Sequence, residues 1–401
     1  MLYGATRVSV WQGGFILNFW GMGVNILHRS LIFDASQVSD DIRINSFTSL
    51  VRLASGTLIA GWQSGRAKQA PENHIRLAQS SDGGKSWGPL YQAFDTTYKD
   101  TPGSLASAEM VETEPGRLLL FTTWFDRSDP DRPLFDPETE GILHSRLLFC
   151  VSDDEGASWG EWQEIPTLGL TGCASTGPVL KWSDGRIAFA FESFKEFDDP
   201  APARHGAWLL VSSDGGRSFE SPWLVARDPD DRVYYWDQRL YCRQEKGAFT
   251  GLFWTHNRSA QSDLNVHLIH GSLDESDTSV KQQPAVTAIP GQIAAPAVTD
   301  DGRLLAFVVD RGDPGTMSLW ESDDDGQSWP QEKKRIIHLH DEQAAVSQAY
   351  TQIDFAEYWE DMGKWSFGHP AICALENGQW LLAYYAGTPE RMNIHGVLIG
   401  E

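Results

Sequence analysis

One eight-residue spacing occurs four times in this 401-residue chain, and it limits the fold more than any other feature. Ser80-Ser81-Asp82-Gly83-Gly84-Lys85-Ser86-Trp87 sets the pattern Ser-x-Asp-x-Gly-x-x-Trp/Phe, which returns at 152–159, 212–219 and 322–329. A degraded fifth copy begins at Ser272-Leu273-Asp274. The chemistry suits a hairpin turn: the carboxylate accepts nearby backbone N–H groups, glycine takes a dihedral other residues resist, and serine adds a local bond. Apolar strands precede most copies, as in Ala207-Trp208-Leu209-Leu210-Val211. These boxes are scaffold.

A second series of tight turns is interleaved with the first, at Gly56, Gly116, Gly185, Gly247, Gly302 and Gly378, with gaps of 60, 69, 62, 55 and 76 residues. One glycine turn and one box turn per period make a four-stranded antiparallel sheet, and six sheets closed radially leave only short edges. The expected fold is therefore all-β, a six-bladed β-propeller. Its last period stops one strand short, and the early segment 25–33 is the expected missing strand. No Gly/Ser/Pro-rich linker interrupts the pattern, so 1–401 is read as one domain, with 126–141 and 193–206 as long loops on one rim.

Composition narrows the partners. The formal charge of -23 argues against nucleic acid, because neutralising phosphates needs a basic surface. Cys150, Cys173, Cys242 and Cys373 form no CxxC unit and read as buried thiols. The first thirty residues make a poor signal peptide and no run of 18 apolar residues occurs, so the expectation is a cytoplasmic protein without a membrane span. No cofactor is implied, since no Gly-rich phosphate loop, G-x-S-x-G elbow or H-E-x-x-H helix appears. His338 and His340 share a strand face, but spacing fixes no third metal ligand.

The repeated boxes resemble the sialidase (neuraminidase) superfamily across essentially the whole chain. That resemblance implies a central site of arginines, a tyrosine nucleophile and a carboxylate partner. This sequence departs from it. Ser46, in Asn45-Ser46-Phe47, stands where the first-strand arginine belongs, with Arg43 displaced by three positions. Phe367-Gly368-His369 stands where the tyrosine belongs, and the blade-four glutamate is shifted to Asp237. A serine cannot supply bidentate carboxylate recognition, and a tyrosine nucleophile needs its carboxylate. Classical sialidase activity is not expected.

In propellers, inner-strand starts and second-strand ends meet at one mouth of the channel. The leading expectation is a carbohydrate-active enzyme, an exo-acting glycoside hydrolase on a small glycan, with one carboxyl protonating the leaving oxygen and another activating water. Asp237 and Glu109 are the preferred carboxylates, with Glu192 or Glu72 as substitutes and His369 as a further candidate. Arg66, Arg239 and Arg311 would orient the sugar, Trp62, Trp124 and Trp236 would stack on it, and His256, Asp310 and Tyr385 would complete the mouth. Two alternatives stay open. One is a uronic-acid lyase with His369 or His256 as base beside Arg239 and Arg311; the other is a glycan-binding propeller without chemistry.

Overall fold

The computed structural model describes residues 24–90, 94–202, 204–273, 283–312, 314–340 and 362–400. They form six four-stranded antiparallel sheets, the blades of a β-propeller. Blades I to VI begin at inner strands Ile44–Arg52, Gly103–Glu114, Cys173–Lys181, Val233–Cys242, Ala294–Val298 and Phe367–Ala374. Each of the six turn glycines has a left-handed φ, between 67° and 89°. Blade VI is closed by Asn25–Phe33, which pairs with Arg391–Gly400 from Asn25 opposite Gly400 to Phe33 opposite Ile394. The outermost strand of the last blade thus comes from the first described part of the chain.

The four boxes fold alike. In the first, Ser86 N donates to Asp82 Oδ1 at 2.9 Å, Gly84 N donates to Ser80 Oγ at 2.9 Å, and Trp87 Nε1 reaches back to Gly84 O at 3.1 Å. The carboxylate and serine bonds recur around Asp154, Asp214 and Asp324, and the indole bond at Trp159 and Trp329, whereas Phe219 has no donor to make it. These donors hold the four carboxyls below the usual aspartate range. Asp274 of the degraded copy lies outside the described residues.

Second strands differ from the simple alternation of a half-exposed strand. Leu58–Gly65 and Ile187–Ser193 are buried at every position, because each is covered on both faces by neighbouring blades. Phe121 of blade II stacks on Phe189 of blade III at 4.6 Å, and neither is exposed. Burying one such ring contributes ~1.5–3 kcal/mol, and repetition around the ring holds the inner strands in fixed register. The four cysteines pair with no partner, and burial pushes the thiols of Cys173, Cys242 and Cys373 up to about 12. Among the described residues no helix is long and apolar enough to cross a membrane.

Candidate functional site

Five inner strands are broken by a bulge near their N-terminal ends, those of blades I, II, III, IV and VI. At four of these bulges a non-glycine residue has a left-handed backbone: Phe47 (φ 57°), Ser107 (69°), Asp237 (47°) and His369 (55°). Such conformations cost free energy and persist only where the surroundings impose them. Here the bulge interrupts the ladder and turns successive side chains towards the channel axis. Gly368, at φ 147°, precedes His369, and a Cβ on it would lie 2.3 Å from Arg311 Nη2.

Arg239 lies at the centre, 3% exposed. Its Nη1 is 3.8 Å from Glu109 Oε1 and its Nη2 is 3.9 Å from Asp237 Oδ1. Nη2 also bonds His369 Nε2. A guanidinium can only donate, so Nε2 is the acceptor and Nδ1 carries the proton, facing Thr48 O at 3.3 Å. Burial and then Arg239 hold His369 well below the usual histidine range. Burial raises Glu109 to about 7 against the pull of Arg239, and burial likewise raises Asp237.

The two carboxyls share one guanidinium but face different spaces. Asp237 lines a narrow pit at the N-terminal mouth of the inner strands, of about 100 Å³, whereas Glu109 and Arg239 line a chamber of about 450 Å³ on the opposite side. Glu192 of blade III lines the pit with Asp237, and the amide of Gln238 donates to Glu192 Oε1 at 3.3 Å. The carboxylates that face one cavity are therefore Asp237 and Glu192, not Asp237 and Glu109. The pit walls are aromatic: Phe47, Phe125, Phe135, Phe194, Trp236 and Trp254. Between them Ser107 and Ser175 line the pit, and their buried hydroxyl oxygens have no hydrogen-bond partner among the described residues.

Other expected residues sit elsewhere. Trp62 and Trp124 are core, their indole N–H groups bonded to Asn45 Oδ1 and Thr96 O at 2.8 Å, so they offer no stacking face. Arg66 and Glu72 form an ion pair at 2.8 Å with side chains 63% and 43% exposed, outside the pit lining. The same loop turns Lys68 inward, where it lines the pit and donates to Met362 O at 3.1 Å and Tyr385 Oη at 2.8 Å. Arg311 is buried on Trp365, its guanidinium carbon 4.0 Å from the ring centre, and bonds Gln292, Phe367 O and Tyr385 Oη. It is not paired with Asp310, whose Oδ1 accepts the amide of Gly312. His256 meets Asp263 at 3.1 Å and stacks on Trp236. Ser46 Oγ meets Gln63 at 3.3 Å, and Arg43 is 3.4 Å from Asp40.

Sequence reading missed Lys68, Ser107 and Ser175. The signal for Ser107 was present, since Phe47, Ser107 and His369 each stand nine positions before a turn glycine. Gly177 sets the approach of blade III to the Asp237 bulge: a Cβ there would lie 2.3 Å from Gln238 O. Gly177→Ala is expected to cost about 1–3 kcal/mol through this backbone collision, read as a lower thermal midpoint. Among the described residues no group of three or more His, Cys, Asp or Glu side chains is arranged for a metal ion.

No family model and no curated protein matches the chain. Solved structures do. A protein of unknown function from Dyadobacter fermentans has TM-score 0.69 at 16% identity, covering 94% of this chain and 99% of its own. A sialidase from Trypanosoma rangeli in complex with sialic acid has TM-score 0.59 at 9% identity, covering 95% of this chain and 59% of its own. The fold is that of the sialidase-like propellers. A variant of an α-L-arabinofuranosidase from Fusarium graminearum, in complex with an iminosugar inhibitor, has TM-score 0.62 at 11% identity, covering 94% and 98%. At such identities the likeness concerns architecture alone, and sialidase-like propellers share that architecture across different substrates.

Proposed function

We propose that this sialidase-like propeller is an exo-acting glycoside hydrolase whose pit takes the terminal unit of a neutral glycan. One observation carries the reading: Ser107 and Ser175, whose buried hydroxyls have no hydrogen-bond partner among the described residues, line the same aromatic pit as Asp237 and Glu192. A buried hydroxyl without a partner costs free energy that a ligand's hydroxyl would recover. Aromatic faces suit the apolar face of a sugar ring. Asp237, its carboxyl raised by burial, suits the acid that protonates the leaving oxygen, and Glu192, held by a backbone amide, suits the partner that activates water or stabilises developing positive charge. The sialidase and arabinofuranosidase of the same fold are consistent with carbohydrate chemistry.

The cations argue for a neutral sugar. Among the described residues those lining the pit are Lys68 and Arg127, each already bonded, Lys68 to Tyr385 and Arg127 Nε to Ser104 Oγ at 2.9 Å. A carboxylate ligand would need a free guanidinium fork, and Arg239 and Arg311 are both committed beneath the surface. The lyase alternative loses support for the same reason, because His369 Nε2 already accepts from Arg239. The test is a screen with 4-nitrophenyl glycosides and natural oligosaccharides, followed by product analysis. Release of a terminal sugar is expected, an unsaturated ultraviolet-absorbing product would favour the lyase, and binding without product would leave a glycan-binding propeller. Neither binding nor product with any glycan would overturn the reading.

A further inference from the structure

A pit of about 100 Å³ is small beside the ~300–1,000 Å³ of ordinary small-molecule sites. A ligand that reaches Asp237 must leave much of its body outside. Next to the pit, at the outer end of the first hairpin of blade IV, lies a second cavity of about 320 Å³. The two share a wall. Trp236 lines the pit, and its ring stacks at 5.1 Å and 10° on His256, which lines the second cavity with Tyr234.

The second cavity is polar and held by paired charges. Glu140 Oε2 accepts from Arg258 Nη2 at 2.8 Å and from the Tyr234 hydroxyl at 3.3 Å. Arg258 lies over the Tyr234 ring at 4.8 Å and donates to Asp231 O at 3.2 Å. Arg258 and Glu140 nonetheless keep 29% and 28% of their side chains exposed. Glu140, Asp231 and Gln261 all have left-handed backbones, so this rim repeats the imposed geometry of the pit. A carboxylate fixed beside a guanidinium matches two adjacent hydroxyls, one donating to the carboxylate and one accepting from the guanidinium.

We propose that this rim cavity is a second sugar subsite, so that the ligand is an oligosaccharide of at least two units. The inference rests on the glycosidase reading of the pit. The first unit enters the pit, and the second lays vicinal hydroxyls against Glu140 and Arg258. Binding energy gained there, remote from the scissile bond, is available to position that bond against Asp237.

The test uses matched series of monosaccharides, disaccharides and trisaccharides on the full chain, with binding measured by calorimetry. The disaccharide of the bound series is expected to bind at least ~10-fold tighter than its monosaccharide, an increment of about 1.4 kcal/mol. Arg258→Met and Glu140→Gln should each remove that increment and leave monosaccharide binding unchanged. Two separate variants, each checked by its thermal midpoint, guard against a misfolded protein. Equal affinity across the series in the parent protein, or equal loss for mono- and disaccharide in both variants, overturns the second subsite while the glycosidase reading stands. Failure of every glycan, short or long, overturns both.

Discussion

Asp237→Asn and Glu192→Gln are each expected to lower turnover of the screened glycan by ~10²–10⁴-fold, the range of a lost general acid or base. Binding should change far less, so the loss falls on kcat. Asn suits the test because it tolerates the left-handed backbone, φ 47°, that Asp237 adopts, and the thermal midpoint should stay near that of the parent. Glu109→Gln, on the far side of Arg239, should leave the maximal rate much less affected. That contrast separates the pair facing the pit from the pair favoured by sequence. Full activity in both Asp237→Asn and Glu192→Gln would sink the assignment. If both carboxyls prove essential, their separation in a soaked-ligand structure decides stereochemistry: near ~5–5.5 Å the second acts as nucleophile and configuration is retained, near ~6.5–9.5 Å it activates water and configuration is inverted.

The second large effect concerns stability. Glu109 is 3% exposed, and its carboxyl is raised from 4.5 to about 7, chiefly by burial. An acid whose folded pKa is raised binds more protons folded than unfolded between those values. It therefore supports the fold fully below about 4.5 and loses that support as pH rises through about 7. Glu109→Gln removes the ionisable carboxyl without removing the shape. At pH 8 the variant is expected to exceed the parent by up to about 3 kcal/mol, and the difference should vanish near pH 4. Urea midpoints at four pH values would measure it. His369 acts in the opposite sense: its depressed pKa makes the fold lose stability as pH falls below the free-histidine value. The parent should thus show a shallow pH profile on the acid side, and Glu109→Gln a steeper one. A variant less stable than the parent at pH 8 would mean that the Arg239–Glu109 attraction outweighs burial.

The central cluster explains why both experiments are informative. Arg239 couples Glu109, Asp237 and His369 through one buried guanidinium, while its own Nε and Glu109 Oε1 have no hydrogen-bond partner among the described residues. Coupling of this kind links the protonation of the lower chamber to the charge at the base of the pit.

Turns and period were legible in the sequence because they are local. An Asp, a Gly and an aromatic at fixed offsets close the same turn wherever they stand, and the six glycine turns interleaved with the four boxes pointed to six blades and to the strand 25–33 that closes the ring. The candidate residues were half legible. Asp237, Glu192, Trp236, Arg239 and His369 followed from their place on inner strands and hairpin ends. Which way each side chain faces did not. Arg66 and Lys68 stand two apart in one loop, yet one points to solvent and the other into the pit. Asp237 and Glu109 belong to neighbouring positions of the same cluster, yet the Arg239 guanidinium that both approach divides their spaces. Those outcomes depend on bulges that reverse side-chain direction, and on blades packed against each other from residues hundreds apart. Repetition in the sequence determined the propeller; long-range packing alone decided which carboxyls share a cavity.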